Sequence, residues 1–201
     1  MKLLFLLIFC LSSAAEATLL VSGEFGDLSI AYNPKTHQVS GVYTKSLDEN
    51  PDCRFAFSGL QRGNVVPIQT FSFSNPKEVL SGALSVTKNG AIKLILSAEP
   101  SGCHGAPFLS EKRNPATFKF SQRKVRLYLR VLKQSNPTIY PGPEITKGPV
   151  QKWKAGDILE IVESHVDWLR LARISEGNYS WIHESNFIPL FEGDLRDIDK
   201  Q

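Results

Sequence analysis

The sequence is short of cysteine, methionine, histidine and net charge. Its 201 residues include three cysteines, one methionine and four histidines, and 23 Lys and Arg against 20 Asp and Glu leave a formal charge of +3. So small an excess argues against a nucleic-acid partner, because proteins that track phosphates carry clustered positive charge. The histidines are His37, His104, His165 and His183, and no two have the spacing of helical metal ligands. No metal and no other cofactor is expected. A Gly-rich phosphate cradle is missing too, since Gly23-Glu24-Phe25-Gly26 does not lead into a helical pattern. The acidic stretch Asp48-Glu49-Asn50-Pro51-Asp52 offers too few oxygens for calcium and reads as a solvated loop. His165 and Asp167 are the nearest approach to an acid–base pair, but order along the chain does not assemble a triad. The expectation is a non-enzyme with no catalytic residues.

Long apolar runs are also scarce. The one notable run, Leu3 to Leu11, follows Met1-Lys2 and precedes the small residues Ser12 to Ala17. Spanning a bilayer takes about 20 apolar residues, so the run is too short to do so. One positive charge, an apolar stretch and a small-x-small triplet, Ala15-Glu16-Ala17, describe a secretory signal peptide over residues 1–17, expected to be cut after Ala17, with Ser13-Ala14-Ala15 allowing a cut two residues earlier. Bulky Phe9 before Cys10 argues against a lipid anchor at that cysteine. The mature protein is expected to be secreted or periplasmic, with no membrane insertion. The cut removes Cys10 and leaves Cys53 and Cys103, an even pair that reads as a disulfide in an oxidising compartment. Such a bond would stabilise the fold by about 4 kcal/mol in the chain-entropy model.

What is present is period-two alternation. Leu28 to Tyr32 alternates, and Cys53, Phe55 and Phe57 share one face. Val66, Ile68, Phe71 and Phe73 continue the pattern around Pro67, which suggests an edge strand or a bulge there. Leu84 and Val86 lead into Lys88-Asn89-Gly90, and Ile92, Leu94 and Leu96 lead out, the strongest short hairpin signal in the chain. Phe118 and Phe120 form one more short strand. The stretch from Pro100 to Pro115 is Gly- and Pro-rich and reads as a surface loop pinned at Cys103. With 14 Gly, 12 Pro and no helical period, the fold class is all-β. Residues 18–121 are read as a disulfide-clamped antiparallel β-barrel or sandwich. Gly41-Val42-Tyr43 and Phe55 to Gly59 resemble pieces of calycin-type barrels, whose interiors hold small ligands. The phenylalanines are expected to fill the interior rather than line a pocket.

Residues 122–192 read as a second unit, with a flexible tail over 193–201. Val125 to Val131 is apolar on the odd positions, a Gly156-Asp157 turn feeds Ile158 to Val162, and Trp168 to Ala172 follows. Glu176-Gly177-Asn178 is a hairpin turn, Ser180-Trp181-Ile182 the next strand, and Ser185 to Leu190 the closing piece. Lys154 to Ile161, the Trp168 strand and Tyr179 to Ile188 together resemble an SH3-like barrel of the kind appended to many exported bacterial proteins. The resemblance implies a binding module for peptides, proteins or cell-wall peptide bridges. His183 stands where peptide-binding relatives carry proline, and Phe187 where they carry tyrosine. Tyr140, Trp168, Tyr179, Trp181 and His183 are the candidate binding residues, since rigid aromatics enrich at recognition surfaces. The function expected is an exported binding protein. The alternatives are an inhibitor or immunity-type protein blocking a secreted enzyme or toxin, and a small-ligand carrier using the N-terminal barrel.

Overall fold

A computed structural model describes residues 20–47, 50–103, 109–110, 115–143, 151–172 and 181–189. The expected signal peptide over residues 1–17, Tyr179, the turn expected at Glu176–Asn178, the expected tail and most of the Pro100–Pro115 stretch lie outside them. The fold is all-β. Nine strands form the first sheet: β1 (Gly23–Phe25), β2 (Leu28–Asn33), β3 (Gln38–Leu47), β4 (Asn50–Leu60), β5 (Val65–Ser72), β6 (Ser81–Val86), β7 (Ile92–Leu96), β8 (Ala116–Phe118) and β9 (Gln122–Arg123). They run antiparallel in the order β8-β7-β6-β5-β4-β3-β2-β1-β9. The acidic stretch is therefore not wholly a loop, because Asn50, Pro51 and Asp52 already belong to β4.

The strand order explains why the sheet curls. Strands β8 and β9 stand at opposite ends of it, yet residues 119–121 alone join them. Three extended residues span about 10 Å, so the two edges must come together. Aromatic contacts draw them in: Phe118 packs edge-on against Tyr43 at 5.8 Å, and Phe120 against Phe25 at 5.2 Å. The Ser121 N–H also donates to the Glu24 carbonyl at 2.9 Å. The curled sheet encloses Phe25, Leu28, Ile30, Tyr43, Phe55, Phe57, Leu94 and their neighbours, all nearly inaccessible to water. Gly41 is needed here because the Phe57 ring from β4 lies across it, where a Cβ would come within 2.0 Å. The Cys53–Cys103 disulfide is formed and sits in this core. Gly90, at φ +77°, turns the β6–β7 hairpin where the Asn-Gly signal placed it.

Several expectations need correction. Pro67 is neither at an edge nor at a bulge, for β5 lies between β4 and β6. Gly59 pairs with Ile68 and Arg62 with Val65 in one register, while Pro67, whose carbonyl faces Gly59, falls in the unpaired stretch between. Its missing donor therefore interrupts no described pairing with β4, while on its other side Pro67 stands opposite Ala83 of β6. Phe120 lies outside β8 and is 46% exposed. Phe71 and Phe73 do not join Val66 and Ile68 inside the curl; they lie on its outer side.

That outer side is covered by the second sheet. Strands β10 (Tyr128–Val131), β11 (Ile158–His165), β12 (Trp168–Leu171) and β13 (Trp181–His183) form it in sequence order, followed by a 3-10 turn, Glu184–Asn186. Its own core is Tyr128, Leu132, Ile139, Ile161, Leu169, Leu171, Ile182 and Phe187. Leu129 and Val131, on the other face of β10, pack on Ala31, Val42 and Ala56 of the first sheet, with Phe71, Phe73, Ile158 and Ile188 around them. Small residues on β2 and β4 let β10 lie close. The alternation expected from Val125 fails at its start: Val125 is 87% exposed and Arg126 is buried. Arg126 is turned inward because its guanidinium finds four acceptors there. Its Nε donates to the Ile30 carbonyl (3.1 Å) and Nη2 to that of Gly23 (2.9 Å), while Nη1 meets Glu160 (2.5 Å) and Glu24 (2.8 Å).

Candidate functional site

The candidate binding residues sit on the face of the second sheet that looks away from its core. Along β12, Leu169 and Leu171 are buried, so Trp168 and Arg170 take the opposite face. Along β13, Ile182 is buried and Trp181 and His183 face outward. Register then decides who meets. Trp168 is opposite His183 and Arg170 opposite Trp181. The Trp168 and His183 rings lie 5.2 Å apart, edge to face.

Tyr140 enters from the irregular segment after β10. Ile139 is buried in the second core, which turns Tyr140 outward. Its backbone exchanges two hydrogen bonds with Trp181, each 2.7 Å. The phenol ring then rests on Trp168, with centroids 5.0 Å apart and planes nearly perpendicular. Four of the five candidate residues, Tyr140, Trp168, Trp181 and His183, are thus one half-buried surface cluster. The fifth, Tyr179, lies outside the described residues.

Three further residues share this face, which the sequence did not single out for binding. Glu163 and His165 of β11 are paired with Arg170 and Trp168. Arg170 forms a 2.6 Å ion pair with Glu163, and its guanidinium lies 5.9 Å from the centre of the Trp181 ring. His183 Nδ1 is within 2.8 Å of the Ser185 hydroxyl and accepts from the Ser185 N–H, which fixes the imidazole at the 3-10 turn. At the tip of the β11–β12 hairpin, Val166 is 80% exposed and holds φ at +51°. A β-branched residue rarely adopts that conformation. Neighbouring rings with exposed faces and one paired cation can stack on flat groups or hold extended chains. Among the described residues, no group of three or more His, Cys, Asp or Glu side chains is placed to hold a metal ion.

Among the described residues the interior of the curled sheet offers no comparable site. Tyr43, Phe55 and Phe57 are fully buried and Phe25 nearly so, and Tyr43 and Phe55 are stacked at 5.2 Å. The Tyr43 hydroxyl has no hydrogen-bond partner among the described residues, and burial, reinforced by Asp27, pushes its pKa up to about 12. Against models of protein families, the curated proteins and the solved structures, the chain finds no match.

Proposed function

We propose that this chain is an exported, non-catalytic binding protein whose second sheet is an SH3-like recognition module. Its partner is a peptide, a protein or a cell-wall component, and it is met through the face built by Tyr140, Trp168, Trp181 and His183. One observation carries this reading. None of these four side chains belongs to a hydrophobic core of the described residues, yet the Tyr140, Trp168 and His183 rings are in contact at the surface and strand register sets Trp181 beside them. Aromatic side chains give large contact area at little entropic cost, which suits a recognition surface. The buried disulfide is compatible with export, and among the described residues no helix is long and apolar enough to cross a membrane.

Co-sedimentation of the chain from Thr18 onward with purified peptidoglycan sacculi tests the cell-wall form of the proposal. The expected result is saturable binding that Trp168→Ala reduces by tenfold or more, about 1.4 kcal/mol. Binding that is insensitive to Trp168→Ala would remove the aromatic face from the account.

A further inference from the structure

Among the described residues the edge strands β8 and β9 do not pair with each other, and the seam where curling brings β1 opposite β7 holds a cavity of about 210 Å³. Leu20, Val21, Phe25, Val86, Ile92 and Phe120 supply most of its wall, with Asn89 and Gly90 of the β6–β7 turn at its polar edge. Its position follows from topology. Phe25 belongs to β1 and Ile92 to β7, strands well separated in the order that curling brings face to face. Phe120, from the three-residue link between β8 and β9, spans the gap by packing on Phe25. The interior behind is filled, so the cavity is a recess in the seam and not a hollow barrel.

Two features define what it would take. Among the described residues no charged side chain lines it, so the buried part of a guest must be uncharged. Its size is comparable to apolar cavities that stay dry and admit one small hydrocarbon, and smaller than the roughly 300–1,000 Å³ of drug-sized sites. Leaving Val21 and Phe120 37% and 46% exposed at its rim also forgoes apolar burial that a guest would recover. We propose that the seam cavity is a binding site for a small uncharged apolar group, an alkyl chain or a single aryl ring. This site is separate from the aromatic face of the second sheet.

Titrating the intact mature chain with n-alkanols from butanol to decanol, followed by methyl NMR, tests the proposal. The methyl signals of Val21, Val86 and Ile92 should shift together and saturably. Affinity should rise about fourfold per added methylene and level off once the chain outgrows the cavity. Octanoate should bind about tenfold or more weakly than octanol. Val21→Trp and, independently, Val86→Trp should fill the recess and abolish the shifts, whereas Trp168→Ala should leave them intact. Shifts that do not saturate, equal affinity for octanoate, or full binding by a folded Val21→Trp or Val86→Trp variant would overturn it.

Discussion

The Arg126 guanidinium lies 2.8 Å from the Glu24 carboxylate, and through this contact the second sheet is fastened to the first strand of the barrel. The same side chain also serves Glu160 on β11 and two backbone carbonyls. Around it, the Ser22 hydroxyl donates to the Arg126 carbonyl, Leu129 N–H donates to the Ser40 hydroxyl, and Asn33 donates to the Tyr128 hydroxyl. The two sheets are thus held by polar contacts as well as by the apolar layer of Leu129 and Val131. A lysine carries three donors at one point and lacks the planar fork that reaches four acceptors. Arg126→Lys should therefore lower stability by about 2 kcal/mol, read as a lower urea midpoint. An unchanged midpoint would show that the contacts contribute nothing net.

The turn at Val166 invites the opposite change. His165 pairs with Trp168, so Val166 and Asp167 form a two-residue hairpin loop whose first position has positive φ. Such a position favours glycine. Val166→Gly should stabilise by about 1 kcal/mol in thermal unfolding, since strain is relieved and no buried contact is lost. A fall in melting temperature would mean that Val166 makes contacts that matter more than its backbone.

Tyr43 gives a pH dependence with a definite sign. An unfolded tyrosine ionises near pH 10, whereas in the folded chain burial holds the group near 12. Between these values the folded state binds more protons, so stability falls as pH rises from about 10 to 12, by up to roughly 2–3 kcal/mol. Tyr43→Phe removes that loss. It also removes a buried hydroxyl that has no partner among the described residues, so at neutral pH it should be neutral or slightly stabilising. Chemical denaturation of both proteins at pH 7 and pH 11 checks the two statements.

The disulfide closes a loop of sequence separation 50 with both cysteines fully buried. Thiol reagents should find no free cysteine in the native mature protein. Cys53→Ala paired with Cys103→Ala should cost about 4 kcal/mol in the urea midpoint analysis. Two thiols reacting in untreated native protein would contradict the pairing.

Much of the first sheet was legible because one of its faces always looks into the curl. Leu28 to Tyr32, Cys53 to Phe57 and Ile92 to Leu96 alternate as half-buried strands should, and Asn89-Gly90 marks a turn by its own chemistry. Alternation does not say which face is covered by a second layer. Ala31, Val42, Phe71 and Phe73 face outward from the barrel and are still covered, because β10 and its neighbours pack there. Arg126 reads as a solvent-facing charge until its distant acceptors are known. For the candidate site, the residue types were visible in the sequence. Their meeting depends on the β12–β13 register and on the Tyr140–Trp181 bridge, as does the placing of Arg170, and β11–β12 pairing adds Glu163 and His165. Pairings of that range leave no local trace.

The central claim is that the Tyr140–Trp168–Trp181–His183 face recognises a partner, and one comparison tests it most directly. Tyr140 holds its place by backbone bonds to Trp181, so removing its ring leaves that bridge intact. The ring contact with Trp168 is worth about 0.5–1.5 kcal/mol, so Tyr140→Ala should retain a cooperative fold with little change in melting temperature. The measurement is the affinity of wild-type and Tyr140→Ala protein for purified peptidoglycan sacculi, with thermal unfolding of both recorded alongside. The account predicts binding about 30-fold weaker in the variant, about 2 kcal/mol, with the fold intact. Equal affinity in two equally folded proteins would contradict it.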